Sequence, residues 1–248
     1  MATSKLRTTL ENGLVKAVGA ATRSRPEALR IYFDSLPLTA ENVLRGYMLG
    51  YFPFTRPSGE MRWHAPKKRA VLLVDEFAIP KRFAQEAHNP NFKIRIDHDP
   101  MAVVEACAAP TRRRPKSWIT PALVEVYREL IEMGMLHSVE AWQDDQLVGG
   151  EFGLAIGSYF SSESAFSRVR NASKVTFVYL HRALRDSGFE LIDLQFISDY
   201  LREFGAREIP RHEYRQRQLM AMVKPQQFRH PEQMPGRSTV PPAEPNEE

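Results

Sequence analysis

Apolar positions recur along this chain at two spacings, and the dominant spacing changes near residue 138. Val43, Leu44, Tyr47 and Met48 fall on one face of a helix that Thr39 can cap and Gly50 can stop. Asp99-Pro100 and Thr120-Pro121 each join a capping side chain to a proline suited to a first helical turn. They introduce one helix with Val103, Val104 and Cys107 and another with Leu123, Val124, Tyr127, Leu130 and Ile131, stopped by Gly134. Residues 69–74 and 92–96 read as strands. From Ser138 the pattern is strand after strand: 138–142, a turn at Asp144-Asp145, 147–156, a turn at Gly157-Ser158, then 159–166. A helix over about 172–187 follows, then a short apolar strand ending near Gln195 and a Ser198-Asp199 helix start.

Such an order predicts an α+β arrangement, a mixed sheet flanked by helices. The expected division is a variable N-terminal segment over 1–35, a small α+β domain over 36–98, a main domain over 99–223, and a disordered Pro-, Gln- and Glu-containing tail over 224–248. At 248 residues and 43% hydrophobic, the chain suffices for one large core or two unequal ones. No run of about 18 apolar residues marks a membrane span, and the basic N-terminus lacks the apolar core of a secretory signal. The single cysteine, Cys107, has no disulfide partner within the chain and no metal-ligand companions, and it falls on an apolar helical face. A soluble cytoplasmic protein without a bound metal is the expectation.

Within LIDLQ, Asp193 and Gln195 are two residues apart, so in an extended strand their side chains project to one face while Ile192 and Leu194 point to the other. A carboxylate beside an amide at a strand end suits proton handling or substrate positioning. The same pair also suits a purely structural strand ending, because buried polar groups must find partners. The net charge is +4, and the basic residues cluster as Lys67-Lys68-Arg69, Lys81-Arg82 and Arg112-Arg113-Arg114 with Lys116, the last just before Trp118. Cations beside an aromatic ring suit a single-stranded RNA end, through phosphate charge and base stacking. A solvated loop beside a core tryptophan is the other reading.

The wording of the chain resembles the leucyl/phenylalanyl-tRNA-protein transferase family over most of residues 44–214. The resemblance rests on many short matches in one order: Gly50-Tyr51-Phe52-Pro53, Trp118-Ile119-Thr120-Pro121, His137-Ser138-Val139-Glu140, Leu147-Val148-Gly149-Gly150, Glu163-Ser164, Phe166-Ser167, Asn171-Ala172-Ser173-Lys174, Asp193-Leu194-Gln195 and Arg207-Glu208-Ile209-Pro210-Arg211. It implies an acetyltransferase-like (GNAT-like) mixed sheet domain with a smaller N-terminal domain. It also implies a monomeric, cofactor-free enzyme that moves leucine or phenylalanine from aminoacyl-tRNA to the N-terminal amine of proteins beginning with Arg or Lys, marking them for N-degron degradation. Asp193 and Gln195 are then the catalytic pair, with Asp193 either taking the proton or positioning the amine. Glu163, Trp118, Phe54, Glu151, Phe160, Ser162, Ala165 and Ile192 fall at the substrate site, and the three basic clusters, Lys67 to Arg69, Lys81-Arg82 and Arg112 to Arg114, become candidate tRNA contacts.

The chain departs from that pattern at the donor pocket. Phe54 stands where the family has tryptophan, Glu151 where it has an apolar residue, Ser162 where glycine is usual and Ala165 where methionine is usual. An unpaired carboxylate facing leucine or phenylalanine costs several kcal/mol of desolvation, on the order of 2–5. These changes predict a more polar pocket and a shifted donor, unless Glu151 turns outward or finds a basic neighbour. Two further classes fit parts of the pattern. One is an acyl-CoA-dependent N-acyltransferase, against which the chain lacks a pyrophosphate-binding Arg/Gln-x-x-Gly-x-Gly/Ala loop before residue 172. The other is a tRNA- or N-degron-binding homologue without turnover.

Overall fold

A computed structural model describes residues 26–56, 58–88, 91–112 and 115–228. Most of the variable segment expected over 1–35, and residues 229–248 of the expected tail, lie outside them.

The fold is α+β. Helices α1 (Pro26–Asp34) and α2 (Ala40–Met48) precede a hairpin of β1 (Phe52–Thr55) and β2 (Met61–His64). Strands β3 (Lys68–Leu73) and β4 (Lys93–Ile96) follow, then α3 (Pro100–Ala108) and α4 (Pro121–Glu132). The meander β5 (Leu136–Gln143), β6 (Gln146–Ile156) and β7 (Tyr159–Ser167) leads to α5 (Ala172–Asp186) and β8 (Leu191–Gln195). The short α6 (Asp199–Glu203), β9 (Arg207–Pro210) and α7 (Arg211–Met222) complete the order.

The caps act as their residue types require. Thr39 accepts from the Asn42 amide at 3.2 Å, Asp99 from Ala102 at 3.0 Å, and Thr120 from Leu123 at 3.3 Å, each satisfying an amide that the first helical turn leaves without a partner. Asp144 and Asp145 both adopt positive φ, 49° and 56°, the geometry of a two-residue hairpin turn between β5 and β6.

Seven strands form one sheet in the order β4-β5-β6-β7-β8-β3-β9, and β1-β2 form a separate two-stranded sheet. The stretch expected as a small N-terminal domain, 36–98, therefore supplies two strands, β3 and β4, to the large sheet. Strand β3 enters between β8 and β9 because both its faces are apolar: Val71 packs with one core layer, Ala70 and Leu72 with the other. One layer joins α2, α3, α4 and α7 to the sheet, and the other lies under α5.

All neighbouring strands of the large sheet run antiparallel except β7 and β8, which α5 joins as a parallel pair. That pairing runs only from Tyr159 opposite Leu191 to Ser161 opposite Asp193. Beyond it β7 continues to Ser167 while β8 stops at Gln195, so the sheet is split at this point. Gly153 on β6 follows a register shift, and a Cβ there would lie 2.2 Å from the Ser161 carbonyl oxygen. Only glycine lets β6 and β7 approach this closely beside the split.

Of the expected tail, Phe228 is described and is buried rather than loose. Its ring stacks on His137 at 4.6 Å and on Phe160 at 6.0 Å. A large aromatic side chain beside an apolar layer gains more by burial than the ordering of its few flanking residues takes away.

Candidate active site

The split between β7 and β8 brings together Asp193 and Gln195 from β8, Ser161 and Glu163 from β7, and Arg69 from β3. Asp193 is fully buried and its carboxylate is saturated. Arg69 donates from Nε to Oδ1 at 2.8 Å and from Nη2 to Oδ2 at 2.7 Å. The hydroxyls of Tyr159 and Tyr214 donate to Oδ2 at 2.6 and 2.7 Å, and the Gln195 amide donates to Oδ1 at 3.0 Å. Burial alone would push this carboxyl up, but the Arg69 charge and the converging donors outweigh it and hold Asp193 below the usual aspartate range. Arg69 is raised in turn: burial works against its charge, and the facing Asp193 more than offsets that.

Gln195 sits at φ 54°, a left-handed conformation uncommon for a residue with a side chain, and the Asp193 carboxylate braces its amide there. The turn sends the Gln195 side chain across the split, where Nε2 donates to Ser161 Oγ at 3.0 Å and to Glu163 Oε1 at 3.1 Å. Glu163 also accepts from Ser161 Oγ at 2.7 Å and from the Tyr47 hydroxyl, on α2, at 2.6 Å. Burial pushes the Glu163 carboxyl up to about 7, against the pull of those two hydroxyls. Two carboxylates on facing strands are thus tuned in opposite directions, one fixed as an anion and one set near neutrality.

Glu163 and Gln195 border a cavity of about 220 Å³ that Glu151, Ser162, Ala165 and Tyr200 also line. Glu151 is 3% exposed, its Oε1 has no hydrogen-bond partner, and burial pushes its carboxyl up to about 8. Glu151 thus faces this cavity rather than turning outward. Phe160 and Ile192, expected on the same wall, are instead packed wholly inside the core layer under α5, because they point to the opposite strand face from Ser161 and Asp193.

Next to Gln195, Phe196 is 51% exposed and begins an aromatic shelf. Its ring meets Phe52 at 5.6 Å and Phe54 at 6.1 Å, and Phe54 stacks on Trp118 at 5.6 Å with 18° between planes. Phe52 also lies 4.4 Å under the Arg69 guanidinium, so the shelf is continuous with the buried ion pair. Phe54 and Trp118, 64 positions apart in sequence, are brought together by the fold.

The basic clusters divide. Lys67, Lys68, Lys81, Arg82 and Arg112 are exposed, and Arg82 pairs with Glu203. Arg113 and Arg114 lie outside the described residues. Arg69 is not a surface cation like its two neighbours: it is 1% exposed, because alternation along β3 turns it inward onto Asp193.

A family model described as leucyl/phenylalanyl-tRNA protein transferase matches residues 71–219. A leucyl/phenylalanyl-tRNA–protein transferase of Paramagnetospirillum magneticum is 43% identical over 190 residues, 76% of this chain and 91% of that protein. Those of Ectopseudomonas mendocina and Salinibacter ruber are 43% and 41% identical, covering 73% and 75% of this chain and 82% and 80% of theirs. The chain belongs to this family.

Trp118, Glu151, Glu163, Asp193 and Gln195 fall within the stretch matched to the leucyl/phenylalanyl-tRNA protein transferase model, while Phe54 and Arg69 precede it. Sequence reasoning missed Tyr47, Tyr159, Tyr214 and Phe196. The three tyrosines fall on apolar faces and read as core; the available signal was the phenol itself, which when buried must find a polar partner. Nothing in the local pattern marks Phe196, whose exposure follows from the left-handed turn at Gln195.

Proposed function

We propose that this protein transfers an aminoacyl group from aminoacyl-tRNA to the N-terminal amine of an acceptor protein beginning with Arg or Lys, marking it for degradation. The observation that carries the reading is the joining of Glu163 and Gln195, which border one cavity, to an aromatic shelf that begins one residue away at the exposed Phe196.

The reaction is attack of an amine nitrogen on the carbonyl carbon of an activated ester. The C–N bond forms, the ester C–O bond breaks, and the ribose hydroxyl leaves with a proton. The arriving N-terminus is an ammonium and must lose one proton before attack, and a second N–H proton passes to the leaving oxygen. Glu163, pushed up to about 7, suits the first transfer near neutral pH. Asp193 does not suit it, since it is held low by the Arg69 ion pair and, unlike Glu163, does not border the cavity. Asp193 is therefore the positioning residue: it braces the left-handed turn that aims Gln195. The Gln195 amide then orients the reactants at the Glu163 carboxylate, and holding them together supplies much of the acceleration. Phe196, Phe54 and Trp118 offer ring faces to the terminal base of the tRNA, and the exposed Lys67, Lys68, Lys81 and Arg112 offer charge to its phosphates.

The test is transfer of a labelled amino acid from each of a full set of charged tRNAs onto Arg- and Lys-started peptides, wild type beside Glu163→Gln and Gln195→Ala. Product from the wild type, with strong loss in both variants, supports the reading. No product from any charged tRNA sinks it.

A further inference from the structure

The cavity beside Glu163 is lined by Glu151, whose Oε1 no described residue satisfies. Glu151 stands in the middle of β6, between Val139 on β5 and Ala165 on β7, and its Oε1 is buried without a partner. The residue directly across the strand pair is Ala165, too short to cover the carboxyl. The Tyr200 hydroxyl, contributed by α6 to the same cavity, is also buried without a partner. Among the described residues no cation pairs with Glu151: Lys174, at the start of α5, holds its ammonium over the rings of Tyr200 and Phe83, at 5.5 and 5.7 Å. The remaining walls mix the apolar Phe177, Leu194 and Leu201 with the hydroxyls of Ser162, Ser164, Ser173 and Ser198.

An unpartnered buried carboxyl is costly, and a native structure that keeps one at a cavity wall leaves it for something that enters. A cavity that sets apolar side chains and hydroxyls around a buried acid complements an aliphatic stem carrying a cationic head. We infer that this cavity receives the side chain of the transferred amino acid and selects a cationic one, arginine or lysine, through Glu151 with the Tyr200 hydroxyl beside it. The inference rests on the aminoacyl-transfer reading and names the donor class for that same site. A guest cation meets a carboxyl that burial otherwise keeps protonated, pushed up to about 8, and its arrival favours the ionised form. A leucine or phenylalanine side chain leaves both polar groups buried and unsatisfied, the arrangement by which polar sites reject apolar analogues most strongly.

The experiment is single-turnover transfer from arginyl-, lysyl-, leucyl-, phenylalanyl- and asparaginyl-tRNA onto one Arg-started peptide, read by mass spectrometry. Wild type is compared with Glu151→Gln and Glu151→Met, each with its melting temperature measured. The expected result is kcat/KM at least ~10-fold higher for arginyl- or lysyl-tRNA than for the other three. That preference should be lost in Glu151→Gln and turned toward leucine or phenylalanine in Glu151→Met. Wild-type preference for leucine, phenylalanine or asparagine overturns the inference while leaving aminoacyl transfer standing. So does a cationic preference unchanged in both variants. No transfer from any of the five overturns this inference, and the full set of charged tRNAs then decides the reading beneath it.

Discussion

Arg69 and Asp193 form a two-point ion pair across neighbouring strands, Nε to Oδ1 at 2.8 Å and Nη2 to Oδ2 at 2.7 Å, with both side chains almost completely buried. Removing one partner leaves the other charge uncompensated in the interior. Asp193→Ala and Arg69→Ala should each lower unfolding free energy by about 3–5 kcal/mol. Urea unfolding checks this, and a loss under about 1 kcal/mol would show that the pair is dispensable to the fold.

Glu163 should set the pH dependence of the reaction. With its carboxyl pushed up to about 7, the fraction able to accept a proton grows as pH rises through that value. The wild-type rate should climb with one ionisation near neutrality. Glu163→Gln should lower kcat by about 10²–10⁴-fold and remove that rise, with KM for the tRNA little changed. An unaltered pH profile in Glu163→Gln would assign the proton elsewhere.

Phe196 tests the aromatic shelf. Truncation to alanine should leave the fold nearly untouched, because Phe196 is 51% exposed. Loss of one stacked base is worth about 1–3 kcal/mol, so Phe196→Ala should weaken tRNA binding roughly 5- to 150-fold. A nitrocellulose-filter binding curve that superimposes on the wild type would remove the shelf from the tRNA path.

Glu151 gives stability its own pH dependence. Its folded pKa of about 8 lies above the ordinary 4.5, so the native state holds the proton more tightly than the unfolded chain. Stability contributed by the protonated form is complete below about 4.5 and is lost as pH rises to about 8. Glu163 acts in the same direction up to about 7. Glu151→Gln should flatten the fall between pH 5 and 8.5 by a few kcal/mol, roughly 2–4. Denaturation curves of the two proteins that fall in parallel over this range would show that Glu151 is not buried as an acid.

Much of the secondary structure was legible before folding was considered. Thr39, Asp99 and Thr120 cap the helices their positions announce, and the meander from β5 to β7 turns at Asp144-Asp145 and Gly157-Ser158. These are local effects, set by a side chain reaching its own backbone or by a turn tolerating positive φ. The site was legible in part. Asp193 and Gln195 stood out as a polar pair on an apolar strand, yet their surroundings separated only when Asp193 met Arg69, 124 positions away, and Gln195 met Glu163, 32 positions away.

The chain alone determined the helices that Thr39, Asp99 and Thr120 begin, the meander, the polar strand end, the presence of a carboxyl at 151 and membership of its family, because periodicity, capping and wording are read from the sequence itself. Only the tertiary structure decided which carboxylate is saturated and which is poised near neutrality. It alone turned Arg69 inward from a surface cluster and left Glu151 facing a cavity without a partner. Burial and long-range hydrogen bonds set those states, and both arise where β7 and β8 part, a place defined by strands distant in sequence.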